Sequence, residues 1–365
     1  YVELIRAEVL TVENFAQELA ILRKIWSRFL LEIAFFDIFQ KINQLDAKES
    51  QTKLAEASLT IAYEITKREL SRRYGNFDQF NLAILGLGKL GGRGMDYGSD
   101  VDLILVYDDE KPLPFDNITH AEFYAKATEI FVTTLSSFTR DGNLYRVDLR
   151  LRPDGKNGAT CSAKSSFLNY FQNRSAMWEW LAYVKIRGVA GDVELAVETE
   201  NKIRTTLHQK AQTADVEEFR NETRRMRERL EKEKTEIHGK KEINIKFGEG
   251  GMLDVYFAMR FLQLRDNVPD DLENRSTLFM LKKLDENGSL SDENFQMLYE
   301  GYEFLNRLDH ALRLTFGRSA ILPNNLEAIS KRLKIKNLLE VLTFHRLNIR
   351  SAYENILVTN FFPTN

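Results

Sequence analysis

Two short apolar runs, Asn81–Leu85 and Val101–Tyr107, are separated by the stretch GLGKLGGRGMDYGSD, in which six of fifteen residues are glycine. A sustained helix does not form at that glycine density, because each interior glycine costs about 0.5–1 kcal/mol relative to alanine. The stretch suits a backbone that bends sharply and lies close to another group. Elsewhere the chain is poor in helix breakers, with only 6 prolines in 365 residues. The fold must therefore set a few strands and one tight glycine loop inside a mostly helical frame.

The flanking patterns supply that frame. Over residues 11–45, Phe15, Leu19, Leu22, Trp26, Phe29 and Ile33 recur at spacings of three and four, which predicts one long amphipathic helix. A second helix is expected over Leu54–Tyr74, with Gly75 at its C-cap. Asp108, Asp109, Pro112 and Pro114 end the second apolar run. Thr119 and Glu122 form a capping-box signal for a helix reaching Phe138. Leu144–Leu151 alternates as a strand does: Tyr145, Val147, Leu149 and Leu151 face one way, and Arg146, Asp148, Arg150 and Arg152 the other. Helices are expected over Ser162–Asn173, Met177–Lys185 and the highly charged Asp215–Glu236. Gly251–Phe361 reads as amphipathic helix broken near Asn267–Pro269, Asn287–Gly288 and Pro323. The expected class is α+β and predominantly α-helical. A helical N-terminal segment (1–77) leads into a small mixed-sheet domain (78–205), and a C-terminal helical bundle follows (206–365).

The bulk numbers exclude several classes. The chain is 43% hydrophobic and 29% charged, with a net charge of −3, so nothing global points to nucleic acid or to an acidic membrane surface. One cysteine, Cys161, precludes an internal disulfide and fits a reducing cytoplasm. No apolar run approaches the ~18 residues of a membrane span, and no signal peptide opens the sequence.

Gly86, Gly88 and Gly91 spell G-x-G-x-x-G, with acids (Asp108, Asp109) at about the distance a dinucleotide fold would place them. That fold needs a helix to start at the third glycine, beneath the pyrophosphate. Here Gly92, Arg93, Gly94, Met95, Asp96, Tyr97 and Gly98 follow, which argues against it. Asp100 and Asp102 stand two apart, so on a strand their carboxylates leave the same face. Side by side they repel, and a divalent cation with a taste for hard oxygen, such as magnesium, relieves the repulsion. Asp148 adds a third acid from another strand. Three such acids can hold the two metal ions of phosphoryl or nucleotidyl transfer, while the glycine loop lets backbone N–H groups reach phosphates, with Lys89 and Arg93 as charge partners. A lone D-x-D is more often a solvated strand end. The glycine loop, the acid pair and the third acid together favour the metal reading.

These residues resemble the DNA polymerase β-type nucleotidyltransferase superfamily. More closely, GKLGGRGMDYGSDVDLILVYDD and YRVDLRLRPDGKNG are similar to the glutamine synthetase adenylyltransferase family, and the likeness extends through MWEWLAYVKIRGVAGD, IKFGEGGMLDVYF and YEFLNRLDHALRL, roughly residues 15–325. Members carry two homologous halves, one attaching AMP to a tyrosine of glutamine synthetase and the other removing it by phosphorolysis, under the control of PII-type signal proteins. This chain resembles one half, more the adenylylating one. The resemblance implies ATP as substrate, two Mg²⁺ ions on Asp100, Asp102 and Asp148, a phosphate loop of Gly88, Lys89, Gly91, Gly92 and Ser99, and phosphate or substrate contacts from Arg150 and Arg152. Glu179, Lys185 and Arg187, in the stretch expected to be helical, are further candidate substrate contacts. The C-terminal helices look like the bundle of this family and of PII uridylyltransferases. One departure stands out: where the family pattern reads aspartate, apolar, glutamate, phenylalanine, this chain has Asp254, Val255, Tyr256, Phe257. The missing acid leaves open a catalytically weak module that binds nucleotide or a PII protein, and the removing activity, on the same site, is the other alternative.

Overall fold

The computed structural model describes residues 1–113, 115–235, 242–317 and 320–358. Pro114, the helix end expected at Glu236 and the last expected helical residues up to Phe361 lie outside them. The chain divides into two compact units, Tyr1–Ser175 with Lys185–Thr206, and Ala176–Val184 with Leu207–Asn365. The fold is α+β and largely helical.

The first unit opens with α1 (Val2–Val9), α2 (Phe15–Ile38) and α3 (Gln44–Tyr74). The single helix expected over 11–45 is thus interrupted. Gln40 adopts a positive φ of 53°, and Asn43 starts α3 by accepting a hydrogen bond from Asp46 N. Gly75, at φ 101°, ends α3. The sheet comprises β1 (Leu82–Gly86), β2 (Val101–Tyr107), β3 (Val147–Asp148), β4 (Ser162–Ala163) and β5 (Arg187–Gly191). Between its strands lie the four-residue α4 (Gly88–Gly91), α5 (His120–Ser136) and α6 (Lys164–Asn173). The capping box of α5 is formed, with Thr119 N donating to Glu122 Oε2 (3.0 Å) and Glu122 N to Thr119 Oγ1 (3.3 Å).

Strand order is β3-β2-β1-β5, and β4 also pairs with β2. β1 runs antiparallel to β2 and β5, whereas β3 and β4 run parallel to β2, so the sheet is mixed. An antiparallel β1–β2 pair joined through a four-residue helix is incompatible with a dinucleotide turn, which needs parallel strands and a full crossover helix. Leu82, Ile84, Leu103 and Leu105 share one buried apolar cluster with Leu22 and Ile25 of α2, Leu59 and Ile65 of α3 and Phe123 and Phe131 of α5. The N-terminal helices therefore pack in the same core as the sheet.

Two expectations need correction here. The alternating stretch 144–151 makes only a two-residue strand. Leu144 N and Tyr145 N both donate to Leu135 O, and after β3 the Asp148 carboxylate accepts from Arg150 N (2.8 Å), which turns the chain away from β2. The stretch around Arg187, expected to be helical, is β5, and the helix before it, α7 (Met177–Tyr183), ends ahead of Lys185. α8 (Val193–Thr213) follows β5, and its residues through Thr206 belong to the first unit.

The second unit combines α7 with α9 (Val216–Thr235), α10 (Met252–Arg265), α11 (Thr277–Glu286), α12 (Asp292–Phe316), α13 (Glu327–Leu333) and α14 (Leu338–Leu357). Phe261, Leu264, Leu308, Leu312 and Ile349 are among its buried residues. α12 and α14 approach so closely that a β-carbon on Gly301 would lie 2.5 Å from Ile349 Cγ1. No described helix is long and apolar enough to cross a membrane.

Candidate active site

Six of the seven β2 residues are buried, and Asp102 is the half-exposed one. Its register partner on β3 is Asp148. Neighbouring strands lie about 4.8 Å apart, so the two carboxylates leave the sheet side by side. Asp100 stands two residues earlier, at the entrance to β2. One group feels all three acids: the Arg150 guanidinium is pushed up, first by hydrogen bonds to Asp148, with Asp102 and Asp100 adding to the effect.

Two of the acids carry guanidinium partners. Arg150 Nε and Nη2 contact Asp148 Oδ2 at 2.9 and 2.5 Å, which holds the Asp148 carboxyl below the usual carboxylate range. Arg146 Nε donates to Asp100 Oδ1 at 2.6 Å, and its Nη2 reaches Gly98 O at 3.4 Å. Arg146 was not singled out in the sequence. The alternation of 144–151 set it on the polar face with Asp148, and that was the available signal.

The glycine loop is built around Asp102. Leu87 N donates to Asp102 O (2.9 Å), and Gly88 turns the chain at φ 54°. A β-carbon on Gly88 would lie 1.8 Å from Asp102 Oδ2, so only glycine leaves room for that carboxylate. Gly91 is equally confined, since its β-carbon would meet Lys185 O at 2.7 Å and Gly86 O at 2.8 Å. Gly92 N closes the short α4 on Gly88 O (3.3 Å). Lys89, within α4, is half-buried, and Arg93 is exposed at φ 52°.

The rest of the loop is strapped to the N-terminal helices. Met95 N donates to Thr52 Oγ1 (3.2 Å) and Tyr97 OH to Asp37 Oδ2 (2.9 Å). Asp96 Oδ2 pairs with Lys48 Nζ at 3.2 Å, both side chains buried. Ser99 closes the turn, accepting from Asp96 N through Oγ (3.2 Å) and donating its own N–H to Asp96 O (3.0 Å).

Other expected site residues are engaged elsewhere. Arg152 donates to Leu149 O, Lys156 O and Gly158 O at 2.8–3.0 Å, closing its own loop. Arg187 is buried, and its Nη2 meets Glu56 Oε1 at 2.5 Å and Leu90 O at 2.9 Å, tying β5 to α3 and α4. Glu179, in the second unit, caps α7 by accepting from Ala176 N (2.7 Å). Lys185 contributes its carbonyl to the wall behind Gly91.

Residues 1–202 match the family described as glutamate-ammonia ligase adenylyltransferase. That is more than half of the chain. The chain belongs to this family. Residues 217–346 match a second family, GlnD PII-uridylyltransferase. Among curated relatives is the bifunctional glutamine synthetase adenylyltransferase/adenylyl-removing enzyme of Aromatoleum aromaticum, 30% identical over 334 residues, which cover 85% of this chain and 34% of that protein. Proteins of the same description from Brucella suis (30% identity, 90% of this chain, 34% of theirs) and Nitrosomonas europaea (28%, 95% and 39%) also match. The chain spans about a third of the length of these relatives.

As a member of the adenylyltransferase family, the chain can be tested for the metal its acids imply. Among the described residues, no three carboxylate, imidazole or thiol side chains are gathered closely enough to hold an ion as they stand. The donor chemistry nonetheless fits: Asp102 and Asp148 are hard carboxylates in register on neighbouring strands, Asp100 stands two residues before Asp102, and Gly88 leaves open the space that Asp102 Oδ2 occupies. Two guanidinium groups, those of Arg146 and Arg150, pair with Asp100 and Asp148.

In the second unit, the family stretch IKFGEGGMLDVYF forms a buried charge network. Asp254 Oδ1 accepts from Arg227 Nε (2.5 Å), Asp254 Oδ2 accepts from Gly250 N (2.8 Å), and Arg350 lies 3.5 Å away. Burial pushes the Asp254 carboxyl up. Tyr256, which stands where the family pattern has glutamate, donates its hydroxyl to Leu181 O (2.8 Å), and Arg260 lies over its ring at 5.7 Å.

Proposed function

We propose that the chain transfers an adenylyl group from ATP to a tyrosine hydroxyl of glutamine synthetase, using two magnesium ions on Asp100, Asp102 and Asp148. The observation that supports this reading is the pairing of Asp102 with Asp148 on neighbouring strands, with the Asp102 carboxylate packed against Gly88. The acceptor protein is taken from the relatives, which are glutamine synthetase adenylyltransferase/adenylyl-removing enzymes. Bound there, the ions would neutralise charge on the triphosphate and on the attacking and leaving oxygens. The chain's own groups have separate tasks. Gly88, Lys89, Gly91, Gly92 and Ser99 border the phosphates, and since the N–H groups of Gly91, Gly92 and Ser99 donate within the loop, backbone donation falls to the residues that open α4. Arg150 holds Asp148 through Nε and Nη2, which leaves its Nη1 to a phosphate or the acceptor. Asp148, kept ionised by Arg150, is assigned here the further task of taking the hydroxyl proton. A PII-type signal protein is the proposed regulatory partner, supported by the second family match over 217–346. The expected compartment is the cytoplasm.

The test is incubation of the chain with Mg²⁺, ATP and unmodified glutamine synthetase, followed by the intact mass of the synthetase subunit. A gain of one AMP supports the reading. The names of the relatives also include adenylyl removal, so a second reading is phosphorolysis of AMP-tyrosine at the same acids. Loss of AMP from modified synthetase on addition of phosphate, with no gain in the forward assay, would replace the first reading with the second. No mass change in either direction would sink both.

A further inference from the structure

Arg146 has no place in the scheme above, yet it is the residue that joins the glycine loop to the acids. It contacts Asp100 Oδ1 at 2.6 Å and Gly98 O at 3.4 Å, and its own carbonyl accepts from Val101 N (2.9 Å), which fixes its backbone at the mouth of β2. The side chain is 74% exposed and that of Asp100 45%. The head group can therefore swing away without disturbing the core. A guanidinium and a divalent cation compete for the same carboxylate lone pairs, so Asp100 cannot serve both fully.

We propose that Arg146 is a resident counter-cation. It holds Asp100 until a divalent ion takes the carboxylate, and the released guanidinium then meets the phosphate groups of the incoming nucleotide. The proposal rests on the reading of Asp100, Asp102 and Asp148 as metal ligands. It assigns to Arg146 a nucleotide contact that exists only after the exchange, and it makes metal and nucleotide binding mutually supportive. That support is reciprocal by linkage, so each ligand tightens the other by the same factor.

The test is calorimetric titration of the full chain with Mn²⁺ alone, and then with a non-hydrolysable ATP analogue in the presence of Mn²⁺. An exposed ion pair is weak, so Arg146→Gln is expected to bind Mn²⁺ alone only about two- to fivefold more tightly than the unaltered chain. The same variant should bind the analogue about tenfold more weakly, having lost a charged hydrogen-bond donor. Arg146→Lys keeps the positive charge and should keep the original Mn²⁺ affinity, which separates a counter-cation from a structural prop. Circular dichroism checks that each variant is folded. If Asp102→Asn abolishes Mn²⁺ binding while Arg146→Gln leaves it unchanged or weaker, the counter-cation is overturned and the metal site stands. If Mn²⁺ binds none of the proteins, both fall.

Discussion

Gly88 and Asp102 are fitted to one another: the space a β-carbon on the glycine would need is held by the carboxylate oxygen of the aspartate, 1.8 Å away. Gly88→Ala must therefore move either the loop or the acid, and φ 54° adds strain to the alanine. Misplacement of a reacting group by about 1 Å costs on the order of 100-fold. Adenylyl transfer by Gly88→Ala should fall by that much or more, with circular dichroism unchanged. Retention of a tenth or more of the original rate would show that Asp102 tolerates displacement and is not a metal ligand.

Asp102→Asn and Asp100→Asn keep the shape of the side chain and remove its charge. Both positions are partly or fully exposed, so the fold should survive. Loss of a group that stabilises charge in the transition state is worth roughly 10²–10³ in rate, and each variant should lose at least that in the mass-shift assay. Unaltered rates in either would remove that residue from the site.

The loop's attachment to α3 depends on a buried pair, Lys48 Nζ to Asp96 Oδ2 at 3.2 Å. Lys48→Met removes the cation from a buried ion pair, which typically costs about 3–5 kcal/mol. Urea unfolding should show that loss. The double variant Lys48→Met/Asp96→Asn should recover much of it, because the stranded charge is gone while the amide can still accept from Tyr97 N, as Asp96 Oδ1 does now (2.8 Å). No recovery in the double variant would mean that the lysine acts through packing rather than charge.

The buried network of the second unit sets a pH dependence. Asp254 and Glu231 are both pushed up, in each case mainly by burial. Each binds its proton more tightly in the folded chain than in the unfolded one. Their contribution to stability is complete below the ordinary carboxylate range near pH 4 and is lost as pH rises through the raised folded values. Glu231→Gln removes one such group. Urea midpoints measured from pH 4 to 7 should fall less steeply in the variant than in the original chain. Equal slopes would place the titration elsewhere.

Much of this was legible in the sequence because it is local. The capping box at Thr119 and Glu122, the apolar runs that become β1 and β2, and the two-residue spacing of Asp100 and Asp102 all depend on neighbours within a few positions. β5 was missed because Arg187–Gly191 has glycine at two of five places and no alternation, and it is held as a strand by pairing with distant β1. Arg152 and Arg187 look like anion binders by type, but Arg152 donates to carbonyls and Arg187 Nη2 to Leu90 O and Glu56. Which arginine faces the acids is a tertiary fact: Arg146 pairs with Asp100 and Arg150 with Asp148.

The brevity of β3 has a cost in robustness. Asp148 stands beside Asp102 through a ladder only two residues long, Val101 with Val147 and Asp102 with Asp148. Its approach is fixed by Leu144 N and Tyr145 N on Leu135 O. Side chains alternate between the faces of a strand, so adding or removing one residue between Tyr145 and Asp148 would exchange that acid for a hydrocarbon and turn the carboxylate to the far side. The apolar core contains none of the polar residues on this segment. The same shift would turn Val147 away from the apolar cluster it packs against, so a one-residue indel here would disturb the packing and misplace the acid together.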